Sequence, residues 1–324
     1  MENLEYLTQM IDELLETDYT IITKENYIAI IVENLKEIYF ATFDKIIKEQ
    51  EIYTAINYYF SYMIPFRSYH HMRHRLNTSL VDKKQIDYLK GIPQPDQRTT
   101  EWYQSRYNMI TASNAWKALE EGKLLNSFIY GKCAPLNVEK YGHVNMGSPM
   151  YWGQLFEDVS VEIYEWKYNT SVDDFGCIKD SDCSFLGASP DGINVDEMSP
   201  LFGRMLEIKN IVNREITGEP KKEYWVQMQL QMNICQLNEC DFLETQFVEY
   251  DSFDKFMEDG DFNYTRDGKM KGIIMVFLDG GKPVHEYLPI LSTLEEYKKW
   301  ESEKMTLHED KVWLKNMYWK LDKF

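Results

Sequence analysis

Long apolar runs are missing from this chain. No stretch of its 324 residues approaches the uninterrupted hydrophobic length of a membrane span, and the opening Met1-Glu2-Asn3 is acidic, unlike the basic start of a secretion signal. Cysteine is scarce. The five residues stand at 133, 177, 183, 235 and 240, with no CxxC pair and no histidines at zinc spacing. An odd, scattered set excludes a disulfide framework and suggests a reducing compartment, so a soluble intracellular protein is expected. Internal repeats and a disorder-prone composition are lacking too. Positive charge is short: 35 Lys and Arg against 53 Asp and Glu leave a net −18. That argues against a broad basic face for nucleic acid; DNA contact would need a local basic groove on an acidic body.

What is present supports a packed core. Hydrophobic residues make up 44% and aromatics 15%, with 23 Tyr, in a chain long enough for two domains or for one large domain with an extension. Residues 1 to about 62 show helical spacing in Leu4, Leu7, Ile11, Leu14 and Leu15, and again in Ile28, Ile31, Leu35 and Ile38, with Thr23 and Asn26 as loose cap candidates. Residues 66–75 (FRSYHHMRHR) gather Arg67, Arg73 and Arg75 with His70, His71 and His74. They read either as a DNA-backbone patch or as a solvated basic strip; a metal site is disfavoured without carboxylate support. Residues 91–101 read as a linker.

The most specific stretch runs from Phe185 to Asn210. Ser189-Pro190-Asp191-Gly192 is a turn, with Pro190 presetting φ and Gly192 tolerating conformations that other residues avoid. Alternation in Leu206-Glu207-Ile208-Lys209 places Leu206 and Ile208 on a buried strand face and Glu207 and Lys209 on the other. If Asp191 opens the neighbouring strand, two carboxylates and a lysine converge. Such a hard-oxygen site suits Mg²⁺ or Mn²⁺. The same residues also read as a plain Asp-Gly turn and a half-exposed strand with a Glu–Lys pair.

Upstream, EWYQSRYNMITASNAWKAL offers Thr111 or Ser113 as the cap of a helix carrying Ala115, Trp116 and Leu119. Arg106 and Ser113 can grip a phosphate and Trp102 can stack on a base, or they are a surface Arg, an ordinary cap and a core Trp. MYWGQLFEDVSVEIYEWKYN reads as a helix with Leu155, Val159 and Ile163 on one face and Glu157 at its edge. Phe175–Lys179 and Cys183–Gly187 read as a hairpin. From Pro220 a helix follows with Trp225, Met228, Met232 and Cys235 buried and Gln227 and Gln231 one turn apart. Phe242–Tyr250 and Gly272–Leu278 read as strands, with Pro283–Leu288 pairing back. Residues 253–272 read as a mobile polar excursion, and 293–320 as a final amphipathic helix with Trp300, Trp313 and Trp319 in the core. The order implies an α/β (α+β) core with a mixed central sheet flanked by helices.

Taken together and in this order, W-x₃-R-x₆-S, G-x₃-E, S-P-D-G, L-E-x-K and Q-x-Q over about residues 98–250 resemble the λ-exonuclease (YqaJ) branch of the PD-(D/E)XK nucleases. The chain is most similar to the versions encoded by large DNA viruses. The resemblance implies a helical region at 1–90 and a nuclease domain at 91–324. It implies that Asp191, Glu207 and the Ile208 carbonyl ligate Mg²⁺ (or Mn²⁺), and that Glu157 serves a second ion or its waters. Lys209 orients or activates the attacking water, supported by Gln227. Arg106, Ser113 and Ser189 take the 5′-terminal phosphate, and Trp102 stacks near the duplex end. The activity implied is 5′→3′ degradation of linear double-stranded DNA, feeding single strands to an annealing partner in recombination or repair. It would run in the host cytoplasm or nucleus, or in the virion, with no membrane role. Arg214 is a further candidate DNA contact. The short phage enzymes of this family form ring-shaped homotrimers, but the N-terminal region, which they lack, leaves monomer and trimer both open. Endonuclease action on DNA or RNA, and a non-catalytic DNA-binding role, are the alternatives.

Overall fold

A computed structural model describes residues 2–18, 21–22, 24, 26–60, 81, 83–93, 99–136 and 145–324. The chain forms two compact units, one of Met1–Leu80 with Asn238–Cys240, the other of Val81–Leu237 with Asp241–Phe324. The basic stretch at 66–75 and the candidate cap Thr23 lie outside the described residues.

The first unit is helical, as its spacing predicts: α1 (Glu2–Thr17), α2 (Tyr27–Phe43) and α3 (Glu49–Tyr58). Leu7, Ile11, Ile31, Leu35, Ile52 and Ile56 form its core, with Leu4, Leu14 and Leu15 packed at the edge. The Tyr59 hydroxyl donates to Asp12 at 2.5 Å and ties the far end of the bundle to α1.

The second unit is mixed α+β. Its elements are α4 (Lys83–Gly91), α5 (Thr100–Tyr107), β1 (Ile110–Thr111), α6 (Ala112–Ala115) running into a 3₁₀ turn, and α7 (Lys123–Cys133). Then come α8 (Pro149–Leu155), α9 (Glu157–Tyr168), β2 (Val172–Asp173), β3 (Ile178–Lys179), β4 (Leu186–Ala188), β5 (Gly192–Asn194) and β6 (Met205–Asn210). The remainder is α10 (Lys222–Cys235), β7 (Cys240–Glu249), α11 (Phe253–Glu258), β8 (Lys271–Asp279), β9 (Lys282–Tyr287), α12 (Leu294–Leu307) and β10 (Val312–Lys323). A seven-stranded sheet runs β2-β5-β6-β7-β10-β8-β9, and a three-stranded sheet runs β1-β4-β3. The small sheet is mixed: β1 runs parallel to β4 and β3 antiparallel to it.

The core beside the large sheet is aromatic. Phe156 stacks on Phe247 at 4.3 Å, and Trp319 meets both rings edge-on. Each such ring removes roughly 150–250 Å² from water, so the cluster is a large apolar contribution to this core. Gly272 is required here, since a Cβ on it would sit 2.3 Å from the Trp319 indole.

Three expectations are corrected. The expected helix over 293–320 stops at Leu307, and 312–323 is instead the strand between β7 and β8. Met317 and Trp319 are buried on one face of that strand, whereas Trp313 is 47% exposed. Its aromatic and β-branched residues gain more from pairing on both sides than from continuing α12. The segment after Phe253 is not a loose excursion. It forms α11, buries Phe256, and is stitched by the fully buried Lys271, whose ammonium donates to the carbonyls of Phe256, Asp259 and Asp261 at 2.5, 2.8 and 2.6 Å. The expected helix around Glu157 is two helices broken at Phe156, so Glu157 opens α9.

Candidate active site

The Ser189-Pro190-Asp191-Gly192 turn joins the two sheets. It leaves β4 of the small sheet and enters β5 of the large one, which pairs antiparallel with β6 through Gly192↔Leu206. Gly192 is there for space rather than for backbone freedom. Its φ is not positive, but a Cβ would come within 2.2 Å of Val172 on β2. Removing that methyl-sized volume lets the turn lie flat on the sheet edge.

Asp191 is held from both directions. Its N–H donates to the Leu206 carbonyl at 3.1 Å, and its Oδ2 accepts the Ile208 N–H at 2.6 Å. This pins the carboxylate beside the strand that carries Glu207 and Lys209.

Glu207 departs from the two-face expectation. It is fully buried, because α10 covers that face of β6 with amides rather than with water. Gln227 and Gln231 each donate from Nε2 to Glu207 Oε2, at 2.8 and 2.7 Å, while Lys209 pairs with Oε1. A buried carboxylate is tolerable only when so paired. Lys209 lies 5.2 Å above the Tyr224 ring.

Gln231 was not among the expected site residues. The Q-x-Q pattern draws attention to Gln227 and Gln229, yet the residue one helical turn after Gln227 shares its face. Its amide also reaches the Ser189 carbonyl at 3.1 Å, and its buried Oε1 has no hydrogen-bond partner among the described residues. Such an orphan acceptor costs about 1–3 kcal/mol. An isolated glutamine reads as a surface residue; only α10 folding over β6 shows otherwise.

The electrostatics are those of crowded carboxylates. Burial pushes the Asp191 carboxyl well above its usual range, and the charges of Glu207 and Glu157 push it further; Lys209 and the Ile208 N–H only partly offset this. For Lys209, burial pulls downward, but Glu207 and Asp191 outweigh it and carry the ammonium above its ordinary value. Lys209 is therefore a cationic donor here, not a neutral base.

Glu157 approaches from α9. Its N-terminal position suits an acidic side chain. Asn210, next after Lys209, holds that helix junction to β6. Its Nδ2 donates to the Gly153 carbonyl at 2.7 Å, and its Oδ1 accepts from Ser160 and Thr245 at 2.7 and 2.5 Å.

Among the described residues no three His, Cys, Asp or Glu side chains lie close enough to enclose an ion by themselves. Two carboxylates with a neighbouring carbonyl do fit Mg²⁺, which keeps several of its waters and uses few protein ligands. The mutual repulsion of Asp191, Glu207 and Glu157 is what a bound cation would relieve.

The second half of the site sits on α5. Thr99 caps this helix by accepting the Trp102 N–H. One turn on, Arg106 lies 4.6 Å from the Trp102 ring and donates to Ser189 Oγ at 3.0 Å. Lys132 of α7 closes the end of α5, its ammonium donating to the carbonyls of Arg106, Tyr107 and Met109 at 3.2, 3.1 and 2.5 Å. Burial, with the nearby Arg106 charge, lowers its pKa. Ser113 is exposed at the start of α6, with its hydroxyl 3.3 Å from that of Thr111; no hydrogen bond joins it to Arg106 or Ser189. Arg214 pairs with Glu244 and lies 5.7 Å from the Tyr224 ring.

The model of the YqaJ-like viral recombinase domain matches residues 101–238. An uncharacterised protein of Acanthamoeba polyphaga mimivirus is 30% identical over 191 residues, 54% of this chain and 33% of that protein, so the chain spans about a third of that relative's length. Crystal structures of an alkaline exonuclease from Laribacter hongkongensis, one of them with dAMP, match at 20% identity and a TM-score of 0.35. They cover 65% of this chain and 92% and 97% of theirs.

Proposed function

From the match of residues 101–238 to the YqaJ-like viral recombinase domain, we propose that the protein is a metal-dependent exonuclease. It degrades linear double-stranded DNA 5′→3′ from 5′-phosphorylated ends. The observation that carries this reading is the adjacency built by one turn. Ser189 meets Arg106, while Asp191, two residues on, faces Glu207 and Lys209.

Asp191, Glu207 and the Ile208 carbonyl would hold Mg²⁺, with Glu157 serving a second ion or its waters. The cation, when bound, supplies a polarised phosphoryl group and a more acidic water. Arg106 and Ser189 take the terminal phosphate, joined by Ser113 once DNA is present, and Trp102 braces the guanidinium beneath the duplex end. Lys209, as an ammonium, donates to the attacking water or to a phosphate oxygen and offsets the charge that builds there. Gln227 and Gln231 keep Glu207 aimed, each donating to its Oε2. Water adds to phosphorus as the bond to the 3′-oxygen breaks. A 5′-mononucleotide leaves, and the next nucleotide now bears the terminal phosphate. Each turnover so regenerates the group that the Arg106 pocket recognises, and the surviving strand becomes available for annealing.

The test uses linear duplexes with 5′-phosphate or 5′-hydroxyl ends beside a closed circle, with Mg²⁺ or EDTA. Mononucleotides should appear from phosphorylated ends with Mg²⁺ only. Asp191→Asn should abolish release, and Arg106→Ala should erase the end preference. Nicking of the circle would replace this reading with an endonuclease, and Asp191→Asn at wild-type rate would remove the site assignment.

A further inference from the structure

We infer that Gln231 makes cleavage conditional on the grip of the DNA end, by tying the end-binding turn to the catalytic carboxylate. This rests on the function proposed above and assigns the coupling to one side chain.

A path of polar contacts runs from Arg106 through Ser189, Gln231 and Glu207 to Lys209. Arg106 donates to Ser189 Oγ at 3.0 Å. The carbonyl of that same Ser189 accepts from Gln231 Nε2 at 3.1 Å, and the same nitrogen donates to Glu207 Oε2 at 2.7 Å. Glu207 in turn pairs with Lys209. Gln231 is fully buried. Its orientation is dictated by its surroundings: both acceptors face the nitrogen, and the oxygen finds no partner among the described residues. Turning the amide over would set an oxygen against a carbonyl and a carboxylate. An apolar side chain would avoid the orphan oxygen but would break the link.

Gln227 supplies the internal comparison. It donates to the same Glu207 oxygen at 2.8 Å from one helical turn earlier, yet its bond runs to Glu207 and none is made with Ser189. The two glutamines therefore share the support of Glu207, and Gln231 alone of the pair also reaches the turn. When a phosphate draws on Arg106 and the Ser189 hydroxyl, the turn that carries Ser189 also carries Asp191. Gln231 transmits any shift of that turn to Glu207. Without a terminal phosphate that shift is not transmitted.

The experiment compares wild type, Gln231→Met and Gln227→Met on duplexes with 5′-phosphate and 5′-hydroxyl ends. Turnover is measured with Mg²⁺ and end affinity separately in EDTA, where nothing is cut. Both variants should lower turnover. Gln227→Met should keep the wild-type ratio of phosphate to hydroxyl turnover. Gln231→Met should collapse that ratio by about tenfold, the scale of one hydrogen bond to a charged group, while its preferential affinity for phosphorylated ends stays as in wild type. An unchanged turnover ratio in Gln231→Met overturns the inference. So does a loss of the affinity preference, which would make Gln231 only a wall of the pocket. If wild type itself ignores the terminal phosphate, it is the proposed function that fails. Gln231→Ser, read by the same two ratios, serves if the methionine variant does not fold.

Discussion

Glu207→Gln is the most telling single change, because the structure sets terms of opposite sign against each other. The carboxylate is fully buried and accepts from Gln227, Gln231 and Lys209. A glutamine of the same shape must turn its NH₂ either toward the two amides or toward the ammonium, so donors meet donors either way. Losing one partner of a buried ion pair costs roughly 3–5 kcal/mol, and the two amide bonds weaken as their acceptor loses charge. Against this, the charge that crowds Asp191 disappears, which returns part of the cost. The net expectation is a destabilisation of about 2–4 kcal/mol in EDTA. Turnover should fall by at least about 10³-fold, since a cation-holding oxygen and the orientation of Lys209 go together. Urea denaturation measures the first number and mononucleotide release the second. A variant within about 0.5 kcal/mol of wild type that still cuts at a tenth of its rate or better would refute both the buried-pair argument and the role of Glu207.

The other expectations are simpler. Asp191 has its folded pKa raised above the ordinary 3.8. In metal-free protein its contribution is fully favourable below that value and is lost as pH rises through the folded one. Mg²⁺ competes with that proton, so its effect on Tm should grow as pH rises above the ordinary carboxylate range; a gain that is flat with pH, or equal in Asp191→Asn, would contradict this. Lys132→Met removes the cation closing α5 and should cost about 1–2 kcal/mol, with weaker binding of phosphorylated ends in EDTA; unchanged binding would show that Arg106 needs no such brace. Burial pushes the Cys235 thiol up to about 12, so Cys235→Ser should not change the number of thiols that react quickly with a disulfide reagent near neutral pH. One fewer fast thiol would place Cys235 within reach of solvent.

Much of this molecule is a property of neighbouring residues in the chain and could be read there. Helical spacing in α1 and α2, the apolar strand β8 with β9 pairing back on it, the Ser189–Gly192 turn and the alternation in β6 all follow from local rules, and the structure contains each. The carboxylates and Lys209 were legible for the same reason: a turn and a short strand place them whatever the rest of the chain does. What tertiary structure alone decided is who covers them. Glu207 lies buried because α10 brings two glutamines onto it. Gly192 is small because β2 passes close. Trp319 stands in a strand because β7 and β8 offer partners on both sides, although its segment also suits a helix. Ser113 makes no hydrogen bond with Arg106 although the same motif names both. For Glu207, Gly192 and Trp319 the deciding contact joins residues well separated in sequence, where no local propensity reaches. Turn chemistry and alternation are set by the next few residues; burial, pairing and charge are set by whatever segment folds alongside.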